Sequence, residues 1–320
     1  MRINYLSYGI INTGGFYHEK CLFDTLTSYY GNEAELKLIR KNKLYKHFFD
    51  YIKLLVFGFV NSNAKINLVV SRIAFSAILR NLFTQNEVWV VLHNFDNSDA
   101  KSKLMKIYYA FLFKILRRVK HNRFKIIVVA DYWVTYFNKT LGLKNVHIFP
   151  NFLDLEKYSH YSKEPNSKKI HLGQFSTKND KAIFELAEKL TKQNYDCFFT
   201  TLNKNEILKT TNYSILYFGA FEAYLQAIAD CKCTLALTNI NEGWNRVAHE
   251  SILLKTPVIG YNKGGLGNLL TDSNSNIISS TDEVFKIIID NNFSVIDSDF
   301  IEKYSTINAK KYLMEICKSL

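Results

Sequence analysis

The sequence predicts an α/β protein built as two doubly wound, Rossmann-like domains. Short, apolar, β-prone runs alternate with helical segments along the chain, the pattern of parallel sheets covered on both faces. Its 320 residues, 48% hydrophobic with only 13 Gly and 3 Pro, suffice for two full cores. Two turns, one near Gly14 and one near Trp244, each link a strand to a helix at the carboxyl edge of the strand, where open α/β sheets place ligands.

In chain order, Arg2 to Ser7 is the first strand, Gly9 to Gly15 a glycine-bearing loop and Phe16 to Tyr30 a helix; Gly14 and Gly15 let backbone approach a ligand. Ala34 to Ile39 is the second strand. Lys41 to Val60 is helical, with basic residues among Leu44, Phe48, Ile52 and Leu55. Ile66 to Val70 and Val88 to Leu92 are strands separated by the helix Ile73 to Phe83, and His93 follows at the carboxyl edge. Lys101 to Lys125 reads as one long helix, with Lys103, Lys106, Lys114 and Arg117 along a narrow line and its apolar residues elsewhere. Ile126 to Ala130 is a strand, Trp133 to Leu141 a helix, and Val146 to Phe149 leads into Pro150-Asn151-Phe152-Leu153-Asp154. The polar, aperiodic stretch Ser159 to Lys169 is the expected linker. The second domain opens with Lys169 to Lys178 and a helix to about Lys192, then alternates through Cys197 to Thr201, Ser214 to Phe218, the helix Phe221 to Ala229 and Thr234 to Thr238.

The richest stretch is Asn241-Glu242-Gly243-Trp244-Asn245-Arg246-Val247-Ala248-His249-Glu250, followed by Thr256-Pro257-Val258 and Gly264-Gly265. Asn239 to Gly243 is turn chemistry, Val247 to Leu254 has helical spacing, and Pro257 closes that helix. The helix start offers backbone amides to a phosphate over Gly243 to Arg246. At about 1.5 Å per residue, Glu250 lies roughly 9 Å beyond Glu242, about the span of a sugar diphosphate-ribose. Glu242 is therefore placed to accept hydrogen bonds from sugar hydroxyls, and Glu250 from a ribose diol.

At these residues the sequence resembles the family 4 glycosyltransferases, retaining enzymes of the GT-B fold. Their mark is two glutamates separated by seven residues, then a short helix, a Thr-Pro-Val strand and a Gly-Gly loop, here Glu242, Glu250, Thr256 to Val258 and Gly264-Gly265. Pro150 to Asp154 resembles the stretch with which the family leaves its first domain. The resemblance implies two Rossmann-like domains facing across a cleft: residues 1–158 on the acceptor side, residues 159–304 binding the nucleotide sugar, and a last helix, 305–320, packing back on the first. It implies transfer of a sugar from a nucleoside diphosphate sugar, a UDP-sugar by default, to a saccharide or lipid-linked saccharide hydroxyl, as in surface polysaccharide or glycolipid assembly. The enzyme would be a metal-independent hexosyltransferase without a cofactor.

Carried over residue by residue, Glu242 and His93 sit at the donor sugar. Gly14, Gly15, Gly173, Gln174, Lys178, Gly243, Trp244, Asn245, Arg246 and Glu250 line the donor site. Three departures stand out. Asn245 replaces a usual glycine; Gln174 replaces the arginine that, with a lysine, grips the diphosphate; and Lys178 lies one residue closer than usual. A neutral amide brings no charge to the phosphate, so Arg246 is expected to supply the missing cation. Two rivals use the same fold: a non-hydrolysing nucleotide-sugar epimerase and a catalytically silent subunit.

Composition narrows the partners. The basic residues behind the formal net charge of +12 are mostly lysine and no nucleic-acid motif accompanies them, so no nucleic acid is expected. An anionic membrane surface is, since basic and aromatic residues interleave in Lys41 to Val60 and Lys101 to Lys125. No run approaches ~20 apolar residues and the N-terminus reads as a strand, so a cytoplasmic protein, peripheral on the inner membrane face, is expected. Five scattered cysteines fit neither a disulfide framework nor a zinc site. Asp297-Ser298-Asp299 reads as helix-start chemistry rather than a metal pair.

Overall fold

The structure, a computed structural model, describes residues 2–8, 14–30, 33–39, 64–70, 74–75, 78, 86–93, 103–119, 123–161 and 167–318. The stretch Gly9 to Thr13 of the expected glycine-bearing loop, the helix expected over Lys41 to Val60 and most of that over Ile73 to Phe83 lie outside the described residues. The chain divides into two compact units, Met1–Phe152 with Ile307–Leu320, and Leu153–Thr306.

The first unit is a parallel sheet of six strands: β1 (Arg2–Tyr8), β2 (Glu33–Ile39), β3 (Ala64–Val70), β4 (Glu87–Leu92), β5 (Phe124–Val128) and β6 (Val146–Ile148), in the order β2-β1-β3-β4-β5-β6. Between these run α1 (Gly14–Tyr30), α2 (Lys103–Arg118) and α3 (Asp131–Thr135), the last continued by a π-helical segment, Tyr136–Thr140. Val88 to Leu92 and all of β5 are buried, as interior parallel strands must be. The expected helix Lys101 to Lys125 ends at Arg118, because Phe124 to Val128 is needed as a central strand between β4 and β6.

That strand carries a lysine, and its burial explains how the last helix is held. Lys125 is 1% exposed, and its ammonium donates to the Ile316 carbonyl at 2.7 Å and lies 4.9 Å from the Trp89 ring centroid. Burial lowers its pKa, and Glu87, 3.9 Å away, opposes that shift. Ile316 belongs to the last turn of the C-terminal helix (Thr306–Lys318), whose carbonyl end attracts a cation. Ala309, Leu313 and Ile316 of that helix complete the apolar core with Leu22, Leu68, Phe149 and Phe152.

The second unit is a seven-stranded sheet ordered β13-β12-β11-β7-β8-β10-β9. Its strands are β7 (Lys169–Gln174), β8 (Asp196–Thr201), β9 (Leu208–Lys209), β10 (Ser214–Tyr217), β11 (Cys233–Ala236), β12 (Val258–Tyr261) and β13 (Asn276–Ile278). All pair in parallel except the short edge strand β9. The helices are α4 (Ala182–Thr191), α5 (Phe221–Ala229), α6 (Arg246–Leu253), α7 (Gly265–Asp272), α8 (Thr281–Ile289) and α9 (Ser298–Lys303). From β7 the chain builds outward through β8 and β10, then returns to lay β11 on the other side of β7. The order therefore reverses between β7 and β11, and such a switch point opens a crevice at the strand ends.

The units divide at Phe152/Leu153, not within Ser159 to Lys169. Leu153 makes a parallel bridge to Ser305 and its amide donates to the Tyr304 carbonyl at 3.0 Å. Tyr158, 5% exposed, packs with Leu225, Ile228 and Leu253. Leu155, Tyr158 and Tyr161 thus pack on the second unit, which the polar sequence around them conceals, while residues 162–166 lie outside the described residues.

Candidate functional site

In the second unit the loops after β7 and β11 are stitched together at the switch point. Asp180 N donates to Leu237 O at 3.0 Å, Asn239 N to Lys178 O at 2.9 Å, and Asn179 bridges Thr238. Gly173, at the end of β7, has φ +86°, and a Cβ there would lie 2.8 Å from the Leu235 carbonyl oxygen. Only glycine allows β7 and β11 to approach so closely while the chain turns. The stitching brings Lys178 Nζ within 4.0 Å of Glu242 Oε2, while the Thr238 hydroxyl donates to Oε1 at 3.4 Å. Gln174, the last residue of β7, is exposed.

A second clamp fixes the Glu242 backbone. It bridges Gly264, and Gly265 N donates to its carbonyl at 2.8 Å. Gly264 has φ +60°, and a Cβ would stand 2.5 Å from that same carbonyl oxygen. The Gly-Gly loop after β12 is therefore a mould for Glu242. Among the described residues Glu242, Lys178, Gly173, Gln174 and Gly243 gather at one edge of one sheet.

Asn245 explains its own departure from the family pattern. It is left-handed, φ 66° and ψ 86°, and its Oδ1 accepts from Ala248 N at 3.0 Å to cap α6. Glycine suits that conformation, asparagine tolerates it, and asparagine also caps. Trp244 is 4% exposed, its Nε1 donating to His249 Nδ1 at 3.0 Å and its ring against Tyr304, centroids 5.0 Å apart. Its ring is therefore packing, and only its backbone is left for a ligand. Burial holds His249 neutral, with its pKa lowered to about 3.

Arg246 and Glu250 are engaged with each other. Arg246 Nε donates to Glu250 Oε1 at 2.6 Å, and the Tyr224 hydroxyl donates to Oε2 at 2.8 Å. Arg246 also lies 5.7 Å from the Phe221 ring centroid. Glu250 is 2% exposed, and burial pushes its pKa up while Arg246 and Tyr224 pull it down. The expected fold-back of Arg246 toward the Gln174 side is not what the side chain does. As the first residue of α6, it reaches one turn along the helix to that buried carboxylate. Likewise a ribose diol would meet Glu250 with each oxygen already holding one hydrogen bond.

In the first unit, His93 follows β4 and stands against α1. A Cβ on Gly15 would lie 3.2 Å from its ring, so the structure brings Gly15 and His93 together as one feature; Gly14 is the first residue of α1. His93 Nε2 lies 2.8 Å from Glu19 Oε1, and His18 packs edge-on to it, ring centroids 5.0 Å apart. Burial, then the neighbouring His93, lowers the His18 pKa to about 3. Asp297 caps α9, its Oδ1 accepting from Asp299 N at 2.9 Å. Among the described residues no group of acidic, histidine or cysteine side chains could hold a metal.

No family model matches the chain, and no curated protein sequence does. Solved structures match it end to end. HepE of Anabaena, solved in complex with UDP and glucose, superposes with a TM-score of 0.73 over 100% of both chains at 14% sequence identity. Sucrose-phosphate synthase of Thermosynechococcus elongatus gives 0.72 over 99% of this chain and 98% of its own, at 10% identity. WaaG, a glycosyltransferase involved in lipopolysaccharide biosynthesis, gives 0.63 over 98% and 95%, at 13% identity. The chain has the GT-B fold. Within it, sequence reasoning missed Tyr224, Thr238, His249, Tyr5, His18 and Glu19. The one local signal was Glu19, a helical turn after Gly15; Tyr224 meets Glu250 across 26 residues of chain, which no spacing rule reveals.

Proposed function

We propose that this GT-B protein is a retaining, metal-independent hexosyltransferase that moves a sugar from a UDP-sugar to a hydroxyl of a saccharide acceptor. The observation that carries the reading is the double clamp on Glu242, which gathers a carboxylate, the Lys178 ammonium and a capped helix start at the switch point of the second unit. HepE, of the same fold, was solved with UDP-glucose. In the reaction the bond from the anomeric carbon to the diphosphate breaks, one to the acceptor oxygen forms, and the acceptor hydroxyl gives its proton to the departing diphosphate. Lys178 and the amides at the start of α6 stabilise the departing diphosphate; Glu242 accepts hydrogen bonds from sugar hydroxyls.

A lipid-linked acceptor, met at the inner membrane face in surface polysaccharide or glycolipid assembly, completes the reading. Its support is the outer face of α2, where Lys103, Lys106, Lys114, Arg117 and Arg118 are exposed with Ile107 (66%) and Phe111 (52%), and the helix contains no acidic residue. Among the described residues no helix is long and apolar enough to cross a membrane. A catalytically silent subunit is the competing reading, favoured by Gln174, which brings no charge to a diphosphate. Incubation with a panel of nucleotide sugars and acceptors separates the two: UDP release with an acceptor product of unchanged anomeric configuration, insensitive to chelator, is expected. Silence with every donor supports the subunit.

A further inference from the structure

A carboxylate, two imidazoles and a phenol meet at the start of α1 in the first unit, and of these the sequence points only to His93. Glu19 is 6% exposed, and its two oxygens have different partners. The Tyr5 hydroxyl, from the fully buried Tyr5 on β1, donates to Oε2 at 2.6 Å, while His93 Nε2 lies 2.8 Å from Oε1. His18, tied by Nε2 to the Phe149 carbonyl, meets the His93 ring at 76°. Gly15 closes the remaining side, its absent Cβ leaving 3.2 Å to His93 Cδ2 and Nε2. The imidazole is thus held by its Nε2 edge, yet its side chain keeps 27% of its exposure.

We propose that Glu19 is a positioning residue that sets the orientation and tautomer of His93. An ionised carboxylate only accepts hydrogen bonds, so Nε2 carries the proton of the neutral ring. Nδ1 is then left as an acceptor, and the group it suits is a hydroxyl, on the donor sugar or on the acceptor. Tyr5, donating to the second oxygen, keeps Glu19 from rotating away, the same logic by which outer partners fix ligating or catalytic histidines. Without Glu19 the ring is free to turn over and to take either tautomer. The identity of the hydroxyl rests on the transferase reading; the tautomer does not.

Two measurements test this. In protein labelled with 15N-histidine, two-bond nitrogen–proton correlation at alkaline pH should show His93 as the Nε2–H tautomer in the wild type and as a mixture in Glu19→Ala. An Nδ1–H wild-type ring, or a tautomer unchanged in Glu19→Ala, overturns the proposal whatever the protein catalyses. With an active donor, His93→Ala and Glu19→Ala should each lower kcat by about tenfold to a hundredfold while donor KM moves less than about threefold. Glu19→Gln, whose amide oxygen still accepts from Nε2, should recover most of the loss, and the Glu19→Ala/His93→Ala double variant should be no slower than His93→Ala alone. Additive losses, or a Glu19→Gln as slow as Glu19→Ala, would contradict it. Absence of turnover with every nucleotide sugar would remove the transferase reading and leave the tautomer result standing.

Discussion

Replacing Arg246 by alanine should destabilise the second unit, whatever it does to a ligand. The substitution leaves Glu250, 2% exposed, with the Tyr224 hydroxyl as its one remaining hydrogen bond named above. Breaking a buried ion pair from one side costs about 3–5 kcal/mol. Loss of the guanidinium over Phe221 adds about 0.5–1 kcal/mol, and removing a cation from the start of α6 returns up to ~1 kcal/mol. The net is about 3–5 kcal/mol, which in a domain of this size lowers Tm by roughly 6–20 °C. The pH dependence gives the sign. Burial raises the Glu250 pKa in the folded state and Arg246 opposes the rise, so without Arg246 the folded state binds a proton more readily than the unfolded one. Stability is then lost as pH rises from the ordinary carboxylate value through the raised folded value, and the gap between variant and wild type should narrow on acidification. Thermal and urea unfolding across pH measure it. The companion Arg246→Ala/Glu250→Gln, which removes the charge but keeps the Tyr224 contact, should recover most of the stability. A Tm within about 1 °C of wild type for Arg246→Ala, or no recovery in the companion, refutes the reasoning.

Glu242→Ala should lower kcat far more than it raises donor KM, because the clamp presents its carboxylate rather than using it for folding; steady-state kinetics with a confirmed donor decide, and unchanged kcat would sink the assignment. Asn245→Gly should stay within a few tenths of a kcal/mol of wild type in unfolding experiments, whereas Asn245→Ala, losing the cap and keeping φ 66°, should cost about 1–3 kcal/mol. Gly264→Ala should abolish turnover, since its Cβ would stand 2.5 Å from the Glu242 carbonyl oxygen; an active, wild-type-stable variant would show that the mould is dispensable. Anionic liposomes should float the protein at low salt and release it at high salt, and Lys106→Glu/Lys114→Glu should abolish flotation; equal flotation of the variant would exclude the outer face of α2.

The periodicity of apolar runs determined the two parallel α/β units, because alternation of buried strands with helical stripes is a local property of sequence. The same is true of the turn at Asn239 to Gly243, the helix that follows it, and the glycines at 173 and 264, since backbone shape there excludes side chains. What α2 looks like from outside was half legible: its cationic line was visible, but Ile107 and Phe111 were assigned away from it and lie on the exposed face, which only the packing of the opposite side settles. The pairing of Arg246 with Glu250, against an expected turn toward the diphosphate, needed the third partner. Tyr224 and Phe221 come from α5, and together with burial they make the carboxylate the nearest strong acceptor. Tertiary structure alone likewise closed Tyr5, His18, Glu19 and His93 into one cluster. Strands β1 and β4 lie two places apart in the sheet, and α1 spans them, so residues 88 positions apart in sequence meet through sheet order rather than through any repeat a linear reading can detect.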